Sequence, residues 1–467
     1  MDRTAGSAWR YFTLIFLLSL AIRVNQLNQL SHRYLVPTAD RELGAITLSL
    51  VKSGEFGNTY ILPTGPTAHL PPIPPLINSF IYRAFGLTSR AGYVIALLII
   101  VTASVLYGML SWFSERFGTG WAAGVIAGLA GVVGGLVGSI WDKLPGHGEY
   151  LAVLLMGLLL VVFLRRWERQ SASWSGSLLL GLASGATFHV QPALLPVILG
   201  CMLFELWWLK NPRKWALVGV IALGILLACL PWGWRNYRTF KAVFFIRSNL
   251  GLELRMGNSV GAAATFERMD ALGTHYYHPR ADGSEARKLI ELGEVAYMRQ
   301  VGGEALAWIS AHPAEFLSLT AQRSANLWAG PLHRPLKESP GVLALTVLAI
   351  VGAWRFFSQD HRSTACGVLD PAANLPAYLL FRCLYAALQN TDRLDSVHPG
   401  RGSGLAVDRG IFTHRPRRHH DQPVPGLVDS FLGADGRSRR TSNVTVPGAT
   451  RGAYQRNRGP APISLVG

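Results

Sequence analysis

The chain has 467 residues, half of them hydrophobic, with 15% charged and a formal net charge of +17. A soluble globular domain carries roughly 25% charge, and so high an apolar content excludes intrinsic disorder for most of the chain. Four cysteines are too few for a disulfide scaffold, and Cys201 and Cys229 fall inside apolar runs, where small buried hydrophobes are expected.

The charge divides the chain into two kinds of sequence. From Arg355 to the end, 113 residues hold 15 Arg and 8 acids, no Lys and no Glu, a net +7. We therefore expect an all-α polytopic membrane domain over 1–357 and a basic Arg/Pro/Gly-rich tail over 358–467 that is unstructured or read out of frame. An apolar run of about 20 residues can cross a bilayer as a helix. Such runs lie at 11–29, 90–113, 119–141, 149–165, 176–189, 191–208, 215–232 and 341–357. The first is not expected to be cleaved, because its apolar core is long and no small-residue cleavage site follows it. Arg165, Arg166 and Arg169 mark one loop as cytoplasmic, and Lys210, Arg213 and Lys214 mark another. This orientation puts the N-terminus inside and loops 30–89 and 233–340 outside. Residues 142–148 and the turn at His189–Pro192 emerge on that same outer face. No internal repeat of 20–50 residues is visible.

In the first outer loop, Asp40 and Glu42 stand directly before Leu43–Val51, which has helical character. Asp40 reads either as the N-cap of that helix or as a general base at the membrane surface. His69 reads as a surface hydrogen-bonding residue or as a catalytic group. The run Pro71-Pro72-Ile73-Pro74-Pro75 predicts a rigid, extended segment. After it, Leu76–Phe85 is too short to span and predicts a re-entrant or interfacial helix.

Asp40, Gly54, Phe56, Thr67, Ala68, Pro72, Pro75, Phe85 and Gly86 stand in this order in the first outer loop. Pro231-Trp232-Gly233-Trp234-Arg235-Asn236-Tyr237 follows, then Arg247-Ser248-Asn249-Leu250-Gly251 and Gly257-Asn258. Glu294, Tyr297, Trp308, Ile309, Pro313, Phe316 and Trp328 complete the set. Together these residues resemble the polytopic lipid-linked-sugar glycosyltransferases of GT-C type, which include protein O-mannosyltransferases and aminoarabinose transferases. The resemblance covers about residues 10–357. Two departures stand out: Arg41 separates Asp40 from Glu42 where the family often has adjacent acids, and Gln191-Pro192 replaces a frequent Arg-Pro.

The resemblance implies a GT-C-like helical bundle with a large outer first loop and outer-face helices. It also implies a polyprenyl-phosphate-linked sugar donor and a lipid, glycan or protein acceptor, within a bacterial inner (plasma) membrane. Asp40, with Glu42 beside it, is the catalytic candidate, and a base there predicts inversion at the anomeric carbon. Arg235 and Arg247 are the candidates for the donor phosphate, because a departing phosphate needs cations more than an acid. Arg235 reads equally as a snorkelling headgroup contact. Glu149 joins the pocket or caps its helix at Gly148. Asp142, His147, Glu149 and Asp40 offer donors for a divalent cation, but no spacing among them forms a metal motif. Trp232, Trp234 and Trp328 predict an interfacial aromatic belt. Residues 259–340 contain no P-loop, GxGxxG or zinc spacing, so nucleotide-sugar use is not expected. The run 285–328 predicts helices over the active face.

The tail has His414-Arg415-Pro416-Arg417-Arg418-His419-His420 but no aromatic interleaving, so no nucleic-acid partner is expected. Its Arg-rich, Lys-free character also fits a GC-rich gene read out of frame. Shifted by one base, residues 387–394 can encode Arg-Tyr-Arg-Ile-Pro-Ile-Asp-Ser, a segment like one the family carries after a span. On that reading the last spans are missing and the product is inactive or misassembled. Two other classes stay open beside the enzyme: a polytopic transporter and a catalytically inactive membrane assembly protein.

Overall fold

The computed structural model describes residues 3–29, 35–117, 120–134, 147–265, 268–269 and 277–329, with a few single positions between 343 and 350. The tail, Asp142 and nearly all of the apolar run at 341–357 lie outside the described residues. Among the described residues every regular element is a helix. The chain runs α1 (Arg3–Asn28), α2 (Glu42–Ser53), α3 (Ile73–Phe85), α4 (Ser89–Arg116), α5 (Trp121–Gly134), α6 (His147–Arg169) and α7 (Trp174–Val190). It continues with α8 (Leu195–Trp208), α9 (Lys214–Phe240), α10 (Leu250–Gly257), α11 (Gly283–Leu292), α12 (Glu294–Ala311) and α13 (Pro313–Ala329).

Four helical segments are long and apolar enough to cross a bilayer: Trp9–Asn28, Ser89–Arg116, Gly148–Arg169 and Lys214–Phe240. The chain therefore has the helices of a membrane protein. The expected third span is seen as α5 up to Gly134. The expected pair at 176–189 and 191–208 forms helices of 17 and 14 residues, α7 and α8. Pro192 and Pro196 interrupt that pair, since each lacks the amide a continuous helix needs.

Tight packing joins these helices. α4 packs on α1, α5 and α6, and α9 packs along α7. At the α7–α9 crossing two glycines face each other: a Cβ on Gly224 would lie 2.9 Å from Gly181 Cα and 2.7 Å from Leu178 O. Small residues at such crossings let backbones approach where lipid provides no hydrophobic drive. A buried ion pair, with a serine hydroxyl, joins three of the bundle helices. Arg166 donates to Glu205 at 2.5 and 3.1 Å and to Ser177 Oγ at 3.0 Å, and Glu205 is fully buried. This network joins α6, α7 and α8 and leaves both charges compensated.

The outer segments differ from expectation in three places. First, Asp40 is not the N-cap of α2. The N-cap is Arg41, which makes no side-chain cap and whose carbonyl accepts from Ala45 N at 2.9 Å, while Asp40 is exposed. Second, the proline run is not extended throughout: Pro72 precedes α3, and Pro74 and Pro75 lie within its first turn. The first helical amides have no intrahelical acceptor, so proline is tolerated there. Third, α9 does not end near Trp232 but continues through Pro231 to Phe240. That extra length carries Arg235 and Asn236 into the outer assembly.

Candidate functional site

The glycine and aromatic pattern of the first loop has a local cause. Gly54 ends α2 at φ +74, a left-handed conformation that favours glycine. The chain then reverses. Asn58 N donates to Gly65 O at 2.8 Å and Thr67 N to Phe56 O at 2.9 Å, closing the loop on itself. Phe56 is buried by this turn and meets Trp232 of α9 edge to face, with centroids 4.9 Å apart. Trp232 also donates Nε1–H to Ile246 O at 3.2 Å. It is thus part of the loop's packing rather than of an aromatic belt, whereas Trp234 is 61% exposed and keeps that role open.

Both expected cations face this loop. Arg235 donates to Phe56 O at 2.9 Å, Thr67 O at 2.8 Å and Asn236 Oδ1 at 3.0 Å. Its guanidinium lies over the rings of Phe56, Trp232 and Phe240. Arg247 donates Nε–H to His69 O at 2.7 Å and approaches Glu253 at 3.4 Å. Each arginine therefore secures first-loop carbonyls. Neither is a snorkelling side chain with its head in open water.

Glu294, at the start of α12, closes the assembly from the other side. Its Oε1 accepts from Ala68 N at 2.8 Å and from Ser248 Oγ at 2.5 Å, and Ser248 N donates to Ala68 O at 3.1 Å. Glu294 is buried, and its Oε2 has no hydrogen-bond partner among the described residues.

Within this frame Glu42, not Asp40, meets the histidines. His69 Nε2 lies 2.9 Å from Glu42 Oε2, and His278 Nε2 lies 3.4 Å from Glu42 Oε1. His69 is buried, so the surface reading of this residue is corrected. Its Nδ1 faces the Tyr60 hydroxyl at 3.0 Å. His278 Nδ1 accepts from Arg280 N–H at 3.1 Å, which puts the proton of its neutral ring on Nε2, facing Glu42. One ligand-competent atom from each of Glu42, His69 and His278 lies within 4.8 Å of the others.

The charges reinforce this arrangement. Burial alone would raise the Glu42 carboxyl, but His69, then His278 and Arg247, outweigh it and hold the group at about 2. Burial pushes His278 down to about 4, against the pull of Glu42. Burial, with Glu294 and Glu42 nearby, raises the Tyr60 hydroxyl well above its ordinary value, so it stays protonated.

Asp40 sits beside this cluster with an exposed side chain. Its backbone is held by Arg280, which donates to Asp40 O at 3.1 Å, to Thr59 O at 2.7 Å and to Ala39 O. Glu149 lies in the first turn of α6, which begins at His147, so it favours the helix start from inside the helix rather than as its cap. Of the other cation-donor candidates, Asp142 lies outside the described residues, as does the side chain of His147.

No protein-family model matches the chain, and no curated protein or solved structure matches it. Sequence reasoning missed His278 and Tyr60. Neither has a partner at motif spacing. The role of Tyr60 arises when the first loop folds back on His69, and that of His278 only when its turn packs against that loop.

Proposed function

We propose that the chain is a membrane glycosyltransferase of GT-C type that moves a sugar from a polyprenyl-phosphate donor to an acceptor hydroxyl on the non-cytoplasmic face. One observation carries this reading: the segments that resemble the family, distant in sequence, meet in a single hydrogen-bonded assembly. Phe56, Thr67, Ala68, Arg235, Ser248 and Glu294 all belong both to the resemblance and to that assembly. The positive-inside pattern supports an outward orientation of this assembly, which fits the bacterial plasma membrane of the proposal.

In this reading the exposed Asp40 carboxylate takes the acceptor proton, because Glu42 is occupied by two imidazoles. Arg280 fixes the backbone on which Asp40 sits. Arg235 and Arg247 hold the first loop and carry the positive charge that a departing phosphate requires. The test is transfer from a radiolabelled polyprenyl-phosphate sugar in membranes. Asp40→Asn should lower transfer by roughly 100-fold or more, the size of a general-base contribution. Unchanged transfer would remove Asp40 as the base. Accumulation of solute in vesicles without transfer would favour a transporter.

A further inference from the structure

We infer that Glu42, His69 and His278 form a binding site for a divalent transition-metal cation of the zinc type. This inference does not depend on the glycosyl-transfer reading. The three side chains come from the start of α2, the first loop and the turn before α11, and their ligand atoms converge within 4.8 Å. Two imidazoles and one carboxylate suit zinc or cobalt, whereas magnesium and calcium prefer oxygen donors. The Glu42–His69 and Glu42–His278 separations are 2.9 and 3.4 Å. With metal–ligand bonds of about 2.0–2.1 Å, the edges of a tetrahedral site measure roughly 3.4 Å. The two separations run to different Glu42 oxygens, and the three ligand atoms lie within 4.8 Å of one another, so loading draws them together by up to about 1.4 Å to reach tetrahedral edges.

The surroundings already resemble those of a metal ligand shell. Tyr60 OH holds His69 Nδ1 at 3.0 Å, so Nε2 is the nitrogen turned to the site. All three ligands are largely withdrawn from water, with side-chain exposures of 19%, 2% and 13% for Glu42, His69 and His278. One contact opposes binding. Arg280 N–H donates to His278 Nδ1, which leaves the proton on Nε2. A metal on Nε2 requires that proton on Nδ1, so the Arg280 amide must turn away. Loading would then tie three separated segments together while rearranging the 278–281 turn, whose Arg280 side chain also holds Ala39, Asp40 and Thr59. The cation therefore acts as a clip between the first loop and that turn.

The experiment uses the full chain in lipid nanodiscs, stripped with chelator and then titrated with Zn²⁺ by calorimetry and with Co²⁺ by absorption. One tight equivalent and a tetrahedral Co²⁺ spectrum are expected. Glu42→Gln and the pair His69→Asn with His278→Asn should each weaken that binding by 100-fold or more. Tyr60→Phe should weaken it by about 10-fold or more, as loss of an outer-shell partner does. Thermal unfolding without metal checks that each variant is folded. Where the double variant fails to fold, His278→Asn alone supplies the reading. No tight equivalent in the wild type overturns the inference. So does binding that survives in the variants, since His414, His419 and His420 offer another source.

Discussion

Two regions of this molecule handle buried charge in opposite ways. In the bundle, Arg166, Glu205 and Ser177 form a closed set among helices adjacent in the chain, with both charges enclosed. On the outer face, His278 arrives from a distant segment to meet Glu42 and His69 of the first loop, and Glu42 and His278 remain partly open. The first set serves only to satisfy itself. The second leaves imidazole nitrogens and a carboxylate partly open in the segment that carries the exposed Asp40, where the proposed transfer would need residual capacity. Partial exposure of Glu42 and His278, and the arrival of His278 from a distant segment, thus mark the candidate site off from the structural ion pair better than the presence of charge does.

The largest expected effect breaks the closed set. Glu205→Ala leaves Arg166 buried without its partner and should cost about 3–5 kcal/mol. Thermal unfolding of nanodisc-embedded protein measures it, and a loss under about 1 kcal/mol would show that water reaches Arg166. Acid should break the outer set next. In metal-free protein, His278 ordinarily titrates at 6.5 but is held at about 4, and Glu42 falls from 4.5 to about 2. A depressed histidine stays neutral when folded while the unfolded chain gains a proton below 6.5, so stability falls as pH drops from 6.5 to 4. A depressed carboxyl contributes stability above 4.5 that is lost towards 2. Both act in the same direction, with His278 alone contributing on the order of 3 kcal/mol. His69, Arg247 and Arg280 also face this pair and share the effect. Hydrogen exchange should show the outer loops opening first between pH 6.5 and 4, and simultaneous opening of α7 and α9 would contradict the division.

The same contrast explains what was legible in the sequence. Helix positions in the bundle follow from hydropathy, which is local, so α1, α4, α6 and α9 appear close to where the apolar runs lie. The helical character of Leu43–Val51 and Leu76–Phe85 was likewise readable. Cap identity was not, because Asp40 and Arg41 compete for one position and Arg280, distant in sequence, holds the backbone there. The proline run misled because prolines suit both an extended segment and a first helical turn. Arg235 and Arg247 were found as charges leaving a span, but that they grip first-loop carbonyls is a tertiary fact. His278 has no motif around it and could only be found in three dimensions.

A smaller steric test addresses the bundle alone. Gly224→Val puts side-chain atoms where Leu178 O and Gly181 Cα already lie within 2.9 Å of a Cβ. Overpacking of this kind costs about 1–3 kcal/mol. The helices must separate, so unfolding should come earlier while Zn²⁺ or Co²⁺ binding at the outer face is retained. Loss of both together would mean that the two regions are mechanically coupled through α9.

The smallest change is the most discriminating. Tyr60→Phe keeps the ring that lies edge to face with His69 and His278, at centroid distances of 5.3 and 5.9 Å. Only the hydroxyl facing His69 Nδ1 is lost. A single neutral hydrogen bond is worth about 0.5–1.5 kcal/mol, and the upper end applies because His69 Nδ1 stays buried without a partner. The ring of His69 is then free to turn, since Tyr60 no longer fixes which nitrogen faces Glu42. Thermal unfolding should register the small loss, while imidazole NMR signals should report a mixture of tautomers in place of one. If unfolding instead moves as far as it does for Gly224→Val, the outer cluster behaves as one cooperative network, and its polar groups carry the same structural burden as the helix crossing.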